Sequence, residues 1–128
     1  MTTESEMLVR AQQRVLRSAR WVSENELHHN SAYISDWLAE NMIFSIRIQG
    51  TNYFSLYCFN TNGLLTPLPG LKPIIQELRK KKDDWGIAYW FCGANGYLGG
   101  HRPQDLVQHQ PDLVLEAARD EILGITHG

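Results

Sequence analysis

Trp85-Gly86-Ile87-Ala88-Tyr89-Trp90-Phe91-Cys92-Gly93-Ala94-Asn95-Gly96-Tyr97-Leu98-Gly99-Gly100-His101-Arg102-Pro103-Gln104-Asp105-Leu106-Val107 is the stretch whose reading decides the fold. Its first part, residues 84–92, is apolar nearly all round, which predicts a buried helix. Asp83-Asp84 opens that helix, where negative charge suits the positive dipole end. Gly93 to Gly100 reads as a loop, and Gly99-Gly100 permits a tight reversal through positive φ. Pro103 fits the first position of a short helix ending near Val107, with Asp105 in its first turn. Trp85 and Trp90 supply large apolar area, and they point roughly 140° apart at 100° per residue.

Helical spacing continues on both sides of this stretch. Pro111 starts a last helix through about Leu123, with Leu113, Val114, Ala117, Ala118 and Ile122 facing inward. Gly124 to Gly128 is expected to be a frayed tail. Upstream, Leu71, Ile74, Ile75 and Leu78 share one face of a helix over 71–81, closed by Lys80-Lys81-Lys82. Thr61 to Gly70 holds two Pro and two Gly and reads as a linker.

The first sixty residues alternate periods. Residues 6–18 predict a helix, with Met7, Leu8, Ala11, Val15 and Leu16 at helical spacing. Arg10, Arg14 and Arg17 form a separate stripe at i, i+4, i+7, which could follow a phosphate backbone or simply be a solvated face. Ser23-Glu24-Asn25-Glu26 is a capping-box pattern that should start a short helix, and Ser31 offers a second N-cap for a helix stopping near Asn41. Ile43, Phe44, Ile46 and Ile48 form a β-like run. Gln49-Gly50-Thr51-Asn52 is a turn, and Tyr53 to Phe59 is a second run, together a hairpin. Helix, short helix, helix and hairpin form the layout of a winged helix-turn-helix. Against DNA reading, the helix that would enter the groove, Ser31 to Asn41, has no Arg or Lys and two acids, Asp36 and Glu40. The wing offers only Arg47.

Composition narrows the class. The chain has 128 residues, 43% of them hydrophobic, enough for a real core without staples. Net charge is −2, and residues 1–60 (five Lys/Arg, six Asp/Glu) and 61–128 (seven and eight) share it evenly. Neither half is a basic nucleic-acid module by bulk charge, so any DNA contact is local. Cys58 and Cys92 form no CxxC pair and read as reduced, buried thiols of a cytoplasmic protein. The polar, acidic start is unlike a signal peptide, and no apolar run approaches a membrane span.

Between Trp85 and Glu121 the pieces Trp90-Phe91, Asn95, Leu98-Gly99-Gly100, Pro103-Gln104-Asp105-Leu106-Val107 and Pro111-Asp112-Leu113-Val114-Leu115-Glu116-Ala117-Ala118 follow in order. This resembles the C-terminal toxin-binding domain of the Xre/MbcA/ParS antitoxins. Val22 to Phe59 resembles, more loosely, the small reading heads of MerR-like and excisionase-like proteins. The resemblance implies an α+β, mostly helical chain with a winged-helix-like head over 1–60, a linker over 61–70 and a helical toxin-binding domain over 71–128. It implies a type II antitoxin that occludes a RES-domain toxin of the NAD-degrading class and regulates its own promoter. A homodimer is expected. A stand-alone regulator or adaptor sharing the domain is the alternative.

The residues assigned to these tasks are exposed types. Arg10, Arg14, Arg17 and Arg47 are expected to touch DNA phosphates, weakly. Tyr97, His101, Arg102 and Arg119 are expected to touch the toxin, Arg102 foremost, since a guanidinium pairs with carboxylates or phosphates in a substrate pocket. No catalytic set is visible, so the chain is expected not to be an enzyme and to need no cofactor. His28-His29, Cys58, Cys92, His101 and His109 match no common zinc spacing, and adjacent His side chains diverge on a helix. Gly93 to Gly100 lacks the GK[ST] ending of a phosphate loop and follows a helix, not a strand.

Overall fold

The computed structural model describes residues 3–60 and 65–127, and the side chains among them except those of 28–31 and 126–127. The chain is α+β. The described residues form six α-helices and a three-stranded antiparallel sheet: α1 (Glu4–Ser18), β1 (Trp21–Ser23), α2 (Ser31–Ala39), β2 (Ile46–Ile48), β3 (Thr51–Ser55), α3 (Leu71–Leu78), α4 (Asp84–Cys92), α5 (Pro103–Leu106) and α6 (Pro111–His127). The sheet order is β1-β3-β2. Among the described residues no helix is long and apolar enough to cross a membrane.

Local chemistry explains the boundaries. Thr3 and Glu6 close a reciprocal capping box on α1. The Ser23–Glu26 pattern makes the Glu half of such a box, with Ser23 N–H donating to Glu26 Oε2 at 3.0 Å. The segment it opens, Glu24–Asn30, is a 3-10 helix kinked at Leu27. Trp21–Ser23 just before it is a strand that periodicity does not reveal, because three residues are too few to show alternation. It pairs with β3 through Val22 and Phe54.

The hairpin is tighter than expected. Gln49 and Gly50, at φ +49° and +82°, make a two-residue turn of the primed kind, so Thr51 and Asn52 pair as strand residues. Ile43 and Phe44 are buried without being strand. The second run ends at Ser55, where Leu56–Cys58 form a 3-10 turn that drives Tyr57 and Cys58 inward. The expected Ser31 cap falls on side chains outside those described, although α2 does begin there. Asn41, at φ +58°, follows the end of α2 as its stop.

In the second half Leu71, Ile74, Ile75 and Leu78 are all fully buried. α3 stops at Leu78, before the three lysines. Gly70, at its start, lies so close to Pro111 that an added Cβ would collide with the proline ring. Asp83 caps α4, its carboxylate accepting from Gly86 N–H at 2.8 Å. Gly99 and Gly100 have φ of +66° and +90°, and Pro103 stands at the first turn of α5. α6 runs to His127, past the expected stop at Leu123, since Gly124 is tolerated inside a long, exposed final helix.

One apolar interior runs through both halves. Phe91 of α4 stacks on Phe44 at 5.8 Å and on Tyr57 at 5.0 Å between ring centres. Around them lie Ile43, Ile46, Phe54 and Phe59 from the first half and Leu71, Ile87, Val114 and Ala118 from the second. Across the proline-rich segment, Phe59 and Pro67 form an isolated bridge. Two glutamines also cross: Gln104 Nε2 donates to Ser18 O at 2.7 Å, and Gln108 Nε2 to Phe59 O at 3.1 Å. Phe91→Ala is therefore expected to destabilise the whole chain by about 3–5 kcal/mol. Urea unfolding followed by circular dichroism checks this, and a loss below about 1 kcal/mol would show that the stack is not the centre of the core.

Candidate functional site

α1 packs along α4, and the two helices frame a depression lined by Leu8, Ala11 and Val15 on one side and Trp85, Gly86 and Tyr89 on the other. That contact buries only Val15 completely. Met7, Leu8 and Leu16, which share the helical spacing, stay largely exposed. The adjoining face of α1 carries the arginine stripe, and here the structure joins two sets of residues that the sequence treats separately. Arg10, Arg14 and Arg17 line a depression of about 450 Å³ whose other wall is Arg102, with Gln13, Ser18 and Cys92 completing it.

Arg102 is fixed rather than free. Its Nε donates to Asp105 Oδ2 at 2.7 Å and its Nη2 to Asp105 Oδ1 at 3.0 Å, a two-pronged pair. The hydrogen bond to Asp105 raises the guanidinium pKa further, so it stays charged at every accessible pH. Gln104, beside it, caps the C-terminal carbonyls of α1 through Ser18 O, which sets the distance between the two arginine-bearing elements. Arg14 lies over the Tyr89 ring, 5.6 Å from its centre.

A second depression, of about 460 Å³, lies along α4 and α6. Its walls include Tyr97, Tyr89 and Trp90, the backbone of 93–96, and Asp120 with the Lys82–Glu121 ion pair. The loop that shapes it is built by Asn95. Its carboxamide oxygen accepts from Tyr97 N–H at 2.9 Å, its carbonyl from Gly100 N–H at 2.8 Å, and its own N–H donates to His101 O. This Asx turn leaves Tyr97 and His101 exposed and Leu98 buried.

The assigned residues thus separate. Arg102 belongs with the α1 arginines, Tyr97 lines the depression on the α4–α6 side, and His101 stands on the loop between them. Arg119 is exposed on α6 and does not line that depression, pointing about 100–160° away from Ala117, Asp120 and Glu121, which do. Arg47 is exposed on β2 opposite Asn52 and lines neither depression. The sequence assigns no binding role to Tyr89 or Gln104, and it reads Cys92 only as a buried thiol. Tyr89 does fall four residues after Trp85, on the same face, which is the one signal that could have marked it.

The buried thiols lie beside the aromatic stack. Burial pushes Cys58 from 9.0 up to about 12 and holds the Tyr57 phenol well above its ordinary value, with Cys58 and Cys92 nearby adding to the latter. Among the described residues no three His, Cys, Asp or Glu side chains form a group that could hold a metal, and the side chains of His28 and His29 lie outside that description. The chain matches no family model, no curated protein and no solved structure.

The two raised values set an alkaline limit. Both groups bind their proton more tightly folded than unfolded, so their contribution is complete below about pH 9; that of Cys58 is lost as pH rises toward 12, and that of Tyr57 falls in the same direction. Cys58 alone can contribute a slope of up to about 1.4 kcal/mol per pH unit in that window. Urea midpoints at rising pH are expected to be level near neutrality and to fall above pH 9, less steeply in Cys58→Ala. An identical fall in that variant would remove the thiol from the explanation.

Proposed function

We propose that the chain is an antitoxin-type inhibitor, one that covers the active site of a RES-domain toxin of the NAD-degrading class and performs no chemistry of its own. The observation that carries this reading is the division of roles within Trp85–Ala118. Trp90, Leu98, Pro103, Val107, Val114 and Ala117 pack inward, while Tyr97, His101 and Arg102 stand at the surface on the Asn95-built loop and its exit. Occlusion needs a firm scaffold presenting a few anchors, and the Asp105-held guanidinium of Arg102 is the first of them. Arg119 is a peripheral contact in this reading. Residues 71–128 supply the toxin-binding unit, and a homodimer in the cytoplasm is the working form.

The first sixty residues make a winged-helix-like head in this proposal. Its support is the order helix, strand, short helix, helix, hairpin, with the strands arranged β1-β3-β2. DNA binding by this head is weak. α2 turns Tyr33 and Asp36 outward, Glu40 follows it exposed, and α2 has no basic side chain for base edges. Phosphate contacts come from Arg10, Arg14, Arg17 and Arg47, which favours promoter contact as a secondary role or, without a toxin, a stand-alone regulator.

Co-expression of the full chain with the toxin encoded beside it is expected to restore growth and cellular NAD. Arg102→Glu is expected to lose that rescue with its circular dichroism unchanged. A chain that never co-purifies with the toxin, or an Arg102→Glu variant that neutralises as well as the parent, contradicts the proposal. For the head, Asp36→Lys is expected to strengthen salt-sensitive, non-specific DNA binding in gel shifts. Tight, sequence-specific binding that survives Arg14→Ala would instead make it a true reader of base sequence.

A further inference from the structure

Four guanidinium groups face one depression of about 450 Å³, three from successive turns of α1 and one, Arg102, from the loop before α5. Among the described residues the only ion pair made by any of the four is that between Arg102 and Asp105. It occupies Nε and Nη2 and leaves Nη1 for another acceptor. Arg14 rests on the Tyr89 ring, and among the described residues Arg10 and Arg17 have no carboxylate partner. Only Arg14 of the three takes part in the packing of α1, through Tyr89 of α4, while Val15 is the residue of α1 that is fully buried. Gathered cations repel one another, and a bound anion with several oxygens reverses that cost.

We propose that this cleft binds a small ligand carrying two or more linked phosphate groups. Arg10 to Arg17 spans about 10 Å along the helix axis, longer than one carboxylate or sulfate and suited to a chain of phosphates. Guanidinium groups match phosphate oxygens in pairs, and four of them against one carboxylate leave an excess of three positive charges for a polyphosphate to neutralise. The depression has the volume of a small-molecule site. A nucleic-acid backbone offers the same chemistry, but a track along it would use the exposed hairpin as well, and Arg47 lines no part of the cleft. The proposal needs no toxin, although it shares Arg102 with the surface proposed to meet one.

Calorimetric titration of the full chain with inorganic tripolyphosphate, at constant ionic strength, tests it. One-to-one binding is expected, about tenfold or more tighter than sulfate. The double variant Arg10→Gln/Arg17→Gln, which removes no ion pair of the fold and should melt like the parent, is expected to weaken it about tenfold or more, as is Arg102→Gln. Lys81→Gln, on the exposed turn after α3, is expected to leave it unchanged. Tripolyphosphate binding no tighter than sulfate, or undiminished in the double variant, overturns the proposal. So does a short random-sequence duplex or a polyglutamate peptide that binds more tightly than tripolyphosphate and needs Arg102, since the cleft would then serve a nucleic-acid backbone or an acidic protein.

Discussion

The stacking of Phe91 against Phe44 and Tyr57 is the contact on which the rest of the molecule depends. Phe91 belongs to a helix of the second half, while Phe44 and Tyr57 flank the hairpin of the first. Three rings in mutual contact exclude water from a volume that neither half could close alone, and area removed from water is the main stabilising force available to a chain this small. Trp21 extends the cluster edge-on to both Phe44 and Tyr57, and its indole N–H donates to Val15 O. That bond ties α1 to the same centre.

Surface geometry follows from that interior. Once α4 is anchored by Phe91, its Trp85–Tyr89 side becomes a bed for α1, and the arginine stripe is turned outward beside the end of α4. Gln104 then registers α5 against the last turn of α1, which brings Arg102 opposite Arg10, Arg14 and Arg17. A residue 85 positions from Arg17 thus shares its depression. The loop built by Asn95, with its two left-handed glycines, holds Tyr97 away on the other side of α4. One packed centre therefore presents two distinct surfaces, one cationic and one aromatic with carboxylates.

Long periodic elements were legible in the sequence. The four apolar residues of α3, the glycine reversal and the proline starts of α5 and α6 each rest on strong local chemistry, and each occurs where that chemistry requires; α4 is mostly buried but leaves Tyr89 exposed. β1 was not legible, because a three-residue strand exists only through its partner β3. The 3-10 turn at Leu56–Cys58 was read as strand for a related reason: its aromatic and small residues favour β structure locally, while burial of Tyr57 against Phe91 decides the outcome. Of the site, the exposed arginines could be named, but not their convergence. That depends on Gln104 meeting Ser18 O, a contact between residues 86 positions apart that no local pattern announces.

The central claim is that both halves form one cooperative body, since the shared cleft exists only if they do. Native-state hydrogen exchange measures this directly by giving the opening free energy of individual amides. Val15 in α1, Phe54 in β3, Phe91 in α4 and Ala118 in α6 are expected to exchange through the same global opening, with free energies agreeing within about 0.5 kcal/mol. If the amides of α1 and β3 instead open several kcal/mol below those of α4 and α6, the halves unfold separately and the account is wrong.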